Sequence, residues 1–128
     1  MLNNMFSIGL RVESKQTEGE KPELYKVEHD TTPVQSLPYK INYEISNLGR
    51  PPVFLTAINS PLQAVRATAV YSHLMQSKTR CFSVAVHENF DKLSNLDRNA
   101  LTNAIDKQFT SYVDFREHFE NYLESKIA

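Results

Sequence analysis

The stretch Arg50–Glu88, RPPVFLTAINSPLQAVRATAVYSHLMQSKTRCFSVAVHE, constrains the fold of this chain more than any other, because it reads as strand, helix, strand. Val53–Ile58 is almost wholly apolar, the pattern of a strand covered on both faces. Ser60 offers a hydroxyl to the free amides of a helix start, and Pro61 stands at the first helical position, where its missing N–H costs nothing. The helix is predicted to run to about Lys78, and Arg80–His87 to form the next strand. In that strand Phe82, Val84 and Val86 should face one way, with Cys81, Ser83, Ala85 and His87 facing the other. If the two strands share a sheet they must be parallel, with a right-handed crossover.

The flanking segments add strands before this unit and helices after it. Phe6, Ile8, Leu10 and Val12 alternate with polar residues or Gly, and so do Tyr39, Ile41, Tyr43 and Ile45; both runs read as half-buried strands. Leu24–His29 is predicted as a short strand with Tyr25 and Val27 inward, and the charged run 14–23 as a mobile loop. Gly49 and the prolines of Asn47–Pro52 mark a turn. Ser94 followed by Asp97, and Ser111 followed by Asp114, each resemble a capped helix start. The first of these helices should bury Leu101, Ala104 and Ile105. The second should bury a stripe of Tyr112, Phe115, Phe119, Tyr122 and Leu123. A short connection near Phe109–Thr110 predicts that the two are antiparallel neighbours.

The resulting fold class is α+β: one domain spanning 1–128, with a mixed sheet of four or five strands. A strand–helix–strand unit and two C-terminal helices should pack mainly on one face, leaving much of the other face wet. At 128 residues the chain can bury a core without metal or disulfide support. The single Cys81 points to a reducing compartment. No apolar run approaches the ~20 residues of a membrane helix, and the first residues lack a basic leader; a cytoplasmic setting is expected.

Charge is divided along the chain. Residues 1–44 carry −2, residues 45–87 carry +4 with no Asp or Glu, and residues 88–128 carry −3. The acid-free middle holds Arg50, Arg66, Lys78 and Arg80, a thin set for a nucleic-acid binder in a chain of pI near 6.4. On the first helix, Leu62, Val65 and Ala69 lie nearly opposite the core face, rimmed by Arg66 and His73, as a small apolar contact patch would. Glu117, Glu120 and Glu124 form an acidic strip on the last helix.

Chemistry finds little support in the sequence. Three glycines exclude a phosphate-wrapping glycine loop, and Asn59-Ser60-Pro61 is explained by helix capping. Cys81 and His87 share a strand face but lie ~20 Å apart along it, beyond the reach of a nucleophile and its base. One cysteine and four scattered histidines build no metal site.

No catalytic residues, metal or cofactor are therefore expected. The leading expectation is a non-enzymatic protein-binding module: a regulator, inhibitor or subunit whose partner is another protein or a second copy of itself. It would act through Leu62, Val65, Arg66, Ala69, His73, Glu117, Glu120 and Glu124. The alternative is an anion- or nucleic-acid-binding protein using Arg66, Lys78 and Arg80. The third expectation is an enzyme whose residues meet only in three dimensions.

Overall fold

The computed structural model describes residues 25–128; the predicted strand at 6–12 and loop at 14–23 lie outside the described residues. The chain runs β1 (Lys26–Thr31), β2 (Ile41–Ser46), β3 (Val53–Ile58), α1 (Pro61–Gln76) and β4 (Phe82–His87), followed by a 3-10 turn at Phe90–Lys92. It ends with α2 (Asn95–Ala104), β5 (Lys107–Phe109) and α3 (Tyr112–Ile127). The five strands form one sheet in the order β1-β2-β3-β4-β5. The β1–β2 and β2–β3 pairs are antiparallel, while β3–β4 and β4–β5 are parallel. The fold is the α+β class with a mixed sheet that the sequence predicts.

Local chemistry starts each helix where the sequence places it. The Ser60, Ser94 and Ser111 hydroxyls accept the backbone N–H of Gln63, Asp97 and Asp114 at 3.3, 3.1 and 3.1 Å. Helix α1 ends with Lys78 in the left-handed region at φ 57°. The Lys78 N–H donates to the Met75 carbonyl and the Thr79 N–H to the Leu74 carbonyl, so the last turn spends its free carbonyls internally.

The sheet separates two apolar layers. On one side α1 and α2 cover Phe54, Ile58 and Ala85, with Val70, Tyr71, Leu74 and Leu101 in the core. On the other side α3 lays Phe115, Phe119, Leu123 and Ile127 over Val53, Leu55, Val84 and Val86. Strand β3 is buried along its whole length because both of its faces are covered, as its apolar run requires. The expectation that the helices pack mainly on one face thus holds for α1 and α2 and not for α3, which covers the face expected to be wet.

The expectation that the two C-terminal helices are antiparallel neighbours is corrected by the strand between them. Lys107–Phe109 pairs with Val84–Val86, so the chain passes through the sheet edge and delivers α3 to the opposite face. Met75, in the last turn of α1, is 55% exposed, since the buried stripe ends at Leu74.

A polar chain that runs from the surface to the buried His87 sets a pH dependence. Thr102 Oγ1 donates to the Arg98 carbonyl at 2.9 Å and so accepts from Gln108 Nε2 at 3.2 Å. Gln108 must therefore turn Oε1 toward His87, 2.8 Å away, which puts the imidazole proton on Nε2. Nδ1 is buried and has no hydrogen-bond partner among the described residues, beside the edge-on Phe90 ring at 4.9 Å. Burial lowers the His87 pKa from its ordinary 6.5, against the opposing pull of the Gln108 bond. The unfolded chain then binds the proton more readily than the native one, so stability falls as pH drops below about 6.5. Urea midpoints measured from pH 7.5 to 5 should decline more in the wild type than in His87→Gln. Equal slopes would show that this imidazole is not what titrates.

Candidate functional site

The residues singled out by the sequence do not converge on one surface. Leu62 and Val65 are 56% and 55% exposed on α1, Ala69 is half-buried, and Arg66 and His73 are exposed. Glu117 and Glu124 are exposed and Glu120 half-buried on α3, across the sheet from α1, so the apolar patch and the acidic strip cannot form one contact face. The set Arg66, Lys78 and Arg80 is also divided. Arg66 sits in the second turn of α1, while Lys78 and Arg80 follow its last turn, ~18 Å farther along the axis for twelve residues of rise.

What the fold does assemble is a cavity between β2, β3 and the first half of α1. The β2–β3 ladder pairs Ile45 with Val53, Glu44 with Phe54 and Tyr43 with Leu55, and then stops. Its next two steps would set Asn42 opposite Thr56 and Ile41 opposite Ala57. Instead the Ala57 N–H donates to the Asn42 side chain Oδ1 at 2.9 Å. Ile41 leaves the layer that holds Tyr43 and Ile45 and is buried under α1. With a side-chain oxygen in place of a backbone carbonyl, β2 parts from β3, and a cavity of about 340 Å³ opens there. Its polar lining is Tyr39, Lys40, Asn42, Thr56, Gln63, Arg66 and Tyr71; among the described residues no carboxylate lines it. The cavity lies toward the carboxyl end of β3, where the sheet changes from antiparallel to parallel, the general location of ligand crevices in open sheets.

The hydrogen bonds of the lining fix its polarity. Asn42 Oδ1 is taken by Ala57, and Gln63 Oε1 accepts the Asn59 N–H at 2.6 Å. A backbone N–H can face only the oxygen of an amide, so each amide keeps its NH2 group as its spare hydrogen-bonding end. Arg66 and Lys40 are exposed cations, and the Arg66 guanidinium lies over the Tyr39 ring, 5.3 Å from its centroid. Behind them the Thr56 and Tyr71 hydroxyls are hydrogen-bonded to each other. Tyr71 is fully buried, and burial raises its pKa, with the Thr56 bond opposing, so the phenol stays neutral.

Tyr71 also walls a second cavity of about 220 Å³, lined by Lys78, Cys81, Ser83 and Asp106 among others. Here Asp106 Oδ2 accepts the Ser83 N–H at 2.9 Å, and the Asp106 N–H donates to Ser83 Oγ at 2.9 Å. Burial, and secondarily the Asp106 carboxylate, push the Cys81 thiol up to about 11, so it stays protonated and is a poor nucleophile at neutral pH. The histidines find partners elsewhere: His87 bonds Gln108, His118 pairs with Asp114, and His29 packs on Tyr43. Among the described residues no three His, Cys, Asp or Glu side chains are grouped to hold a metal, and no helix is long and apolar enough to cross a membrane.

Sequence reasoning reached Arg66 through the acid-free middle segment but assigned Lys40 and Asn42 to a wet strand face. The missed signal is the ladder break, which depends on β3 lying beside β2.

No family model matches the chain, and no curated protein matches it. A solved structure titled "crystal structure of a repair endonuclease from Pyrococcus abyssi" resembles it at a TM-score of 0.49 and 11% identity, covering 86% of this chain and 44% of that one. The chain thus spans less than half of that structure. This neighbour is by its title an enzyme, which is at odds with the expectation of a non-enzymatic regulator, inhibitor or subunit and with the expectation of no enzymatic activity; neither is carried forward. At that TM-score and identity the likeness assigns no activity to this chain.

Proposed function

We propose that the cavity between β2, β3 and α1 receives the oxyanion of a phosphate-bearing ligand or substrate. One observation carries this reading: both amide oxygens in the lining are occupied by backbone N–H groups, so the spare groups beside Lys40 and Arg66 are donors. A site that offers NH2, ammonium and guanidinium groups without a carboxylate favours a multiply charged acceptor, and phosphate is the best match for a guanidinium fork. The absence of acid from residues 45–87 supports it, because the wall contributed by β3 and α1 carries no competing negative charge. A cytoplasmic setting accords with the reading, since phosphorylated ligands abound there and the lone, half-buried Cys81 suits a reducing compartment.

Isothermal titration with inorganic phosphate at low ionic strength tests this. Arg66→Ala should weaken binding by roughly 10- to 100-fold, the worth of a charge-assisted hydrogen bond. Wild-type affinity should fall as salt rises. Unchanged affinity in both Arg66→Ala and Lys40→Ala would refute the site.

A further inference from the structure

We infer that the ligand of this cavity carries a flat heteroaromatic ring beside its phosphate, which makes it a nucleotide, either free or as part of a single strand. The inference rests on the oxyanion reading above and concerns what occupies the rest of the cavity. The lining has two chemically different parts. The donors of Lys40, Asn42 and Gln63 suit a phosphate, but the ring face of Tyr39 and the side chains of Ile41, Ala67 and Val70 offer it nothing. Inorganic phosphate or a small carboxylic acid would leave this apolar part against water.

Tyr39 and Arg66 supply the group that a ring would seek. Tyr39 is half-buried, packed by one part against the core cluster under α1, and the exposed Arg66 guanidinium lies over its ring. Among the described residues Arg66 has no carboxylate in the lining to pair with, and the aromatic ring is what holds the guanidinium at the cavity wall. An aromatic ring and a guanidinium held together are the usual stacking partners of unpaired bases, because every base has a π-face and the cation adds attraction to it. The same guanidinium lies within the donor set, so one residue serves the ring and the phosphate that a nucleotide holds covalently together. A cavity of about 340 Å³ is at the small end of ligand sites, suited to one nucleotide unit rather than a folded nucleic acid.

Titration of the full chain with inorganic phosphate, adenosine monophosphate and an eight-residue oligothymidylate tests the inference. Adenosine monophosphate should bind roughly 5- to 150-fold more tightly than phosphate, the gain of one stacked base. Tyr39→Ala should erase that preference; because it also releases the guanidinium, its phosphate affinity should fall no further than in Arg66→Ala, with a circular-dichroism melt to show that the variant is folded, while Tyr39→Phe should keep the preference. Equal affinity for phosphate and the nucleotide in the wild type would overturn the inference and leave the oxyanion site standing. If neither ligand binds, both fall. An oligonucleotide that binds more tightly than the monophosphate, with a steeper salt dependence, identifies a strand as the source. One that binds no more tightly identifies a free nucleotide. Either result supports the nucleotide class.

Discussion

Asn42→Asp should fold like the wild type and lose phosphate binding by more than about 100-fold. The substitution separates the two jobs of one side chain. An Asp oxygen can accept the Ala57 N–H as Asn42 Oδ1 does, so the break in the β2–β3 ladder, and with it the cavity, is preserved. What changes is the other end of the group, where an NH2 donor becomes a carboxylate oxygen. Losing a donor to a charged ligand removes about 1.5–3 kcal/mol. A negative charge ~4 Å from the phosphate adds repulsion of up to about 4 kcal/mol at an effective dielectric near 20. The new carboxylate would also compete for Arg66 and Lys40. Thermal melting followed by circular dichroism checks the fold, and titration with phosphate checks the site. Asn42→Ala is the informative contrast: it leaves the Ala57 N–H without an acceptor and should lower stability as well as affinity. Phosphate binding within threefold of wild type in a folded Asn42→Asp would refute the polarity assigned to this amide.

Phe119→Ala should cost about 3–5 kcal/mol of stability. Phe119 is 1% exposed and stacks on Phe115 at 4.8 Å with 28° between the rings. Both rings meet Phe109 edge-on, at centroid distances of 6.3 and 5.7 Å. Phe109 belongs to a strand of three residues, so its backbone ladder is short and its anchorage comes largely from these rings. Truncation removes apolar area and opens a cavity against neighbours that are themselves 0% exposed, leaving them little freedom to close it. Against a typical domain stability of about 5–15 kcal/mol, such a loss brings unfolding within reach of mild denaturant. Leu62→Ala, on the exposed side of α1, should change stability by about 0.5 kcal/mol or less. Urea titration of both variants checks the pair. A loss below about 1 kcal/mol for Phe119→Ala would mean that α3 does not hold the second layer in place.

The placement of α3 shows where reading along the chain reaches its limit. Its stripe of Phe115, Phe119 and Leu123 was legible because helical periodicity is a local property, and the structure buries those same residues. Which face of the sheet receives the stripe was not legible. That depends on Lys107–Phe109 joining β4, and three residues carry no period-two signal of their own. The same division holds at the candidate site. Arg66 stood out because no acid shares its segment, a fact of composition. Lys40 and Asn42 read as solvent-facing strand residues because alternation places them so. Only the pairing of β2 with β3 shows that Asn42 satisfies Ala57 and that the two strands part at that point.

By itself, then, the sequence determined the helix starts at Ser60, Ser94 and Ser111, the turn at Gly49, the apolar faces of α1 and α3, and the doubly covered strand at Val53–Ile58. Each follows from bonding or periodicity within a few residues, where neighbours in sequence are neighbours in space. Tertiary structure alone decided which face each helix covers, the third parallel strand, the buried neutral His87, and the cavity that joins Lys40 and Asn42 to Gln63 and Arg66. These depend on contacts between segments 15 or more residues apart, whose geometry is set by the whole sheet.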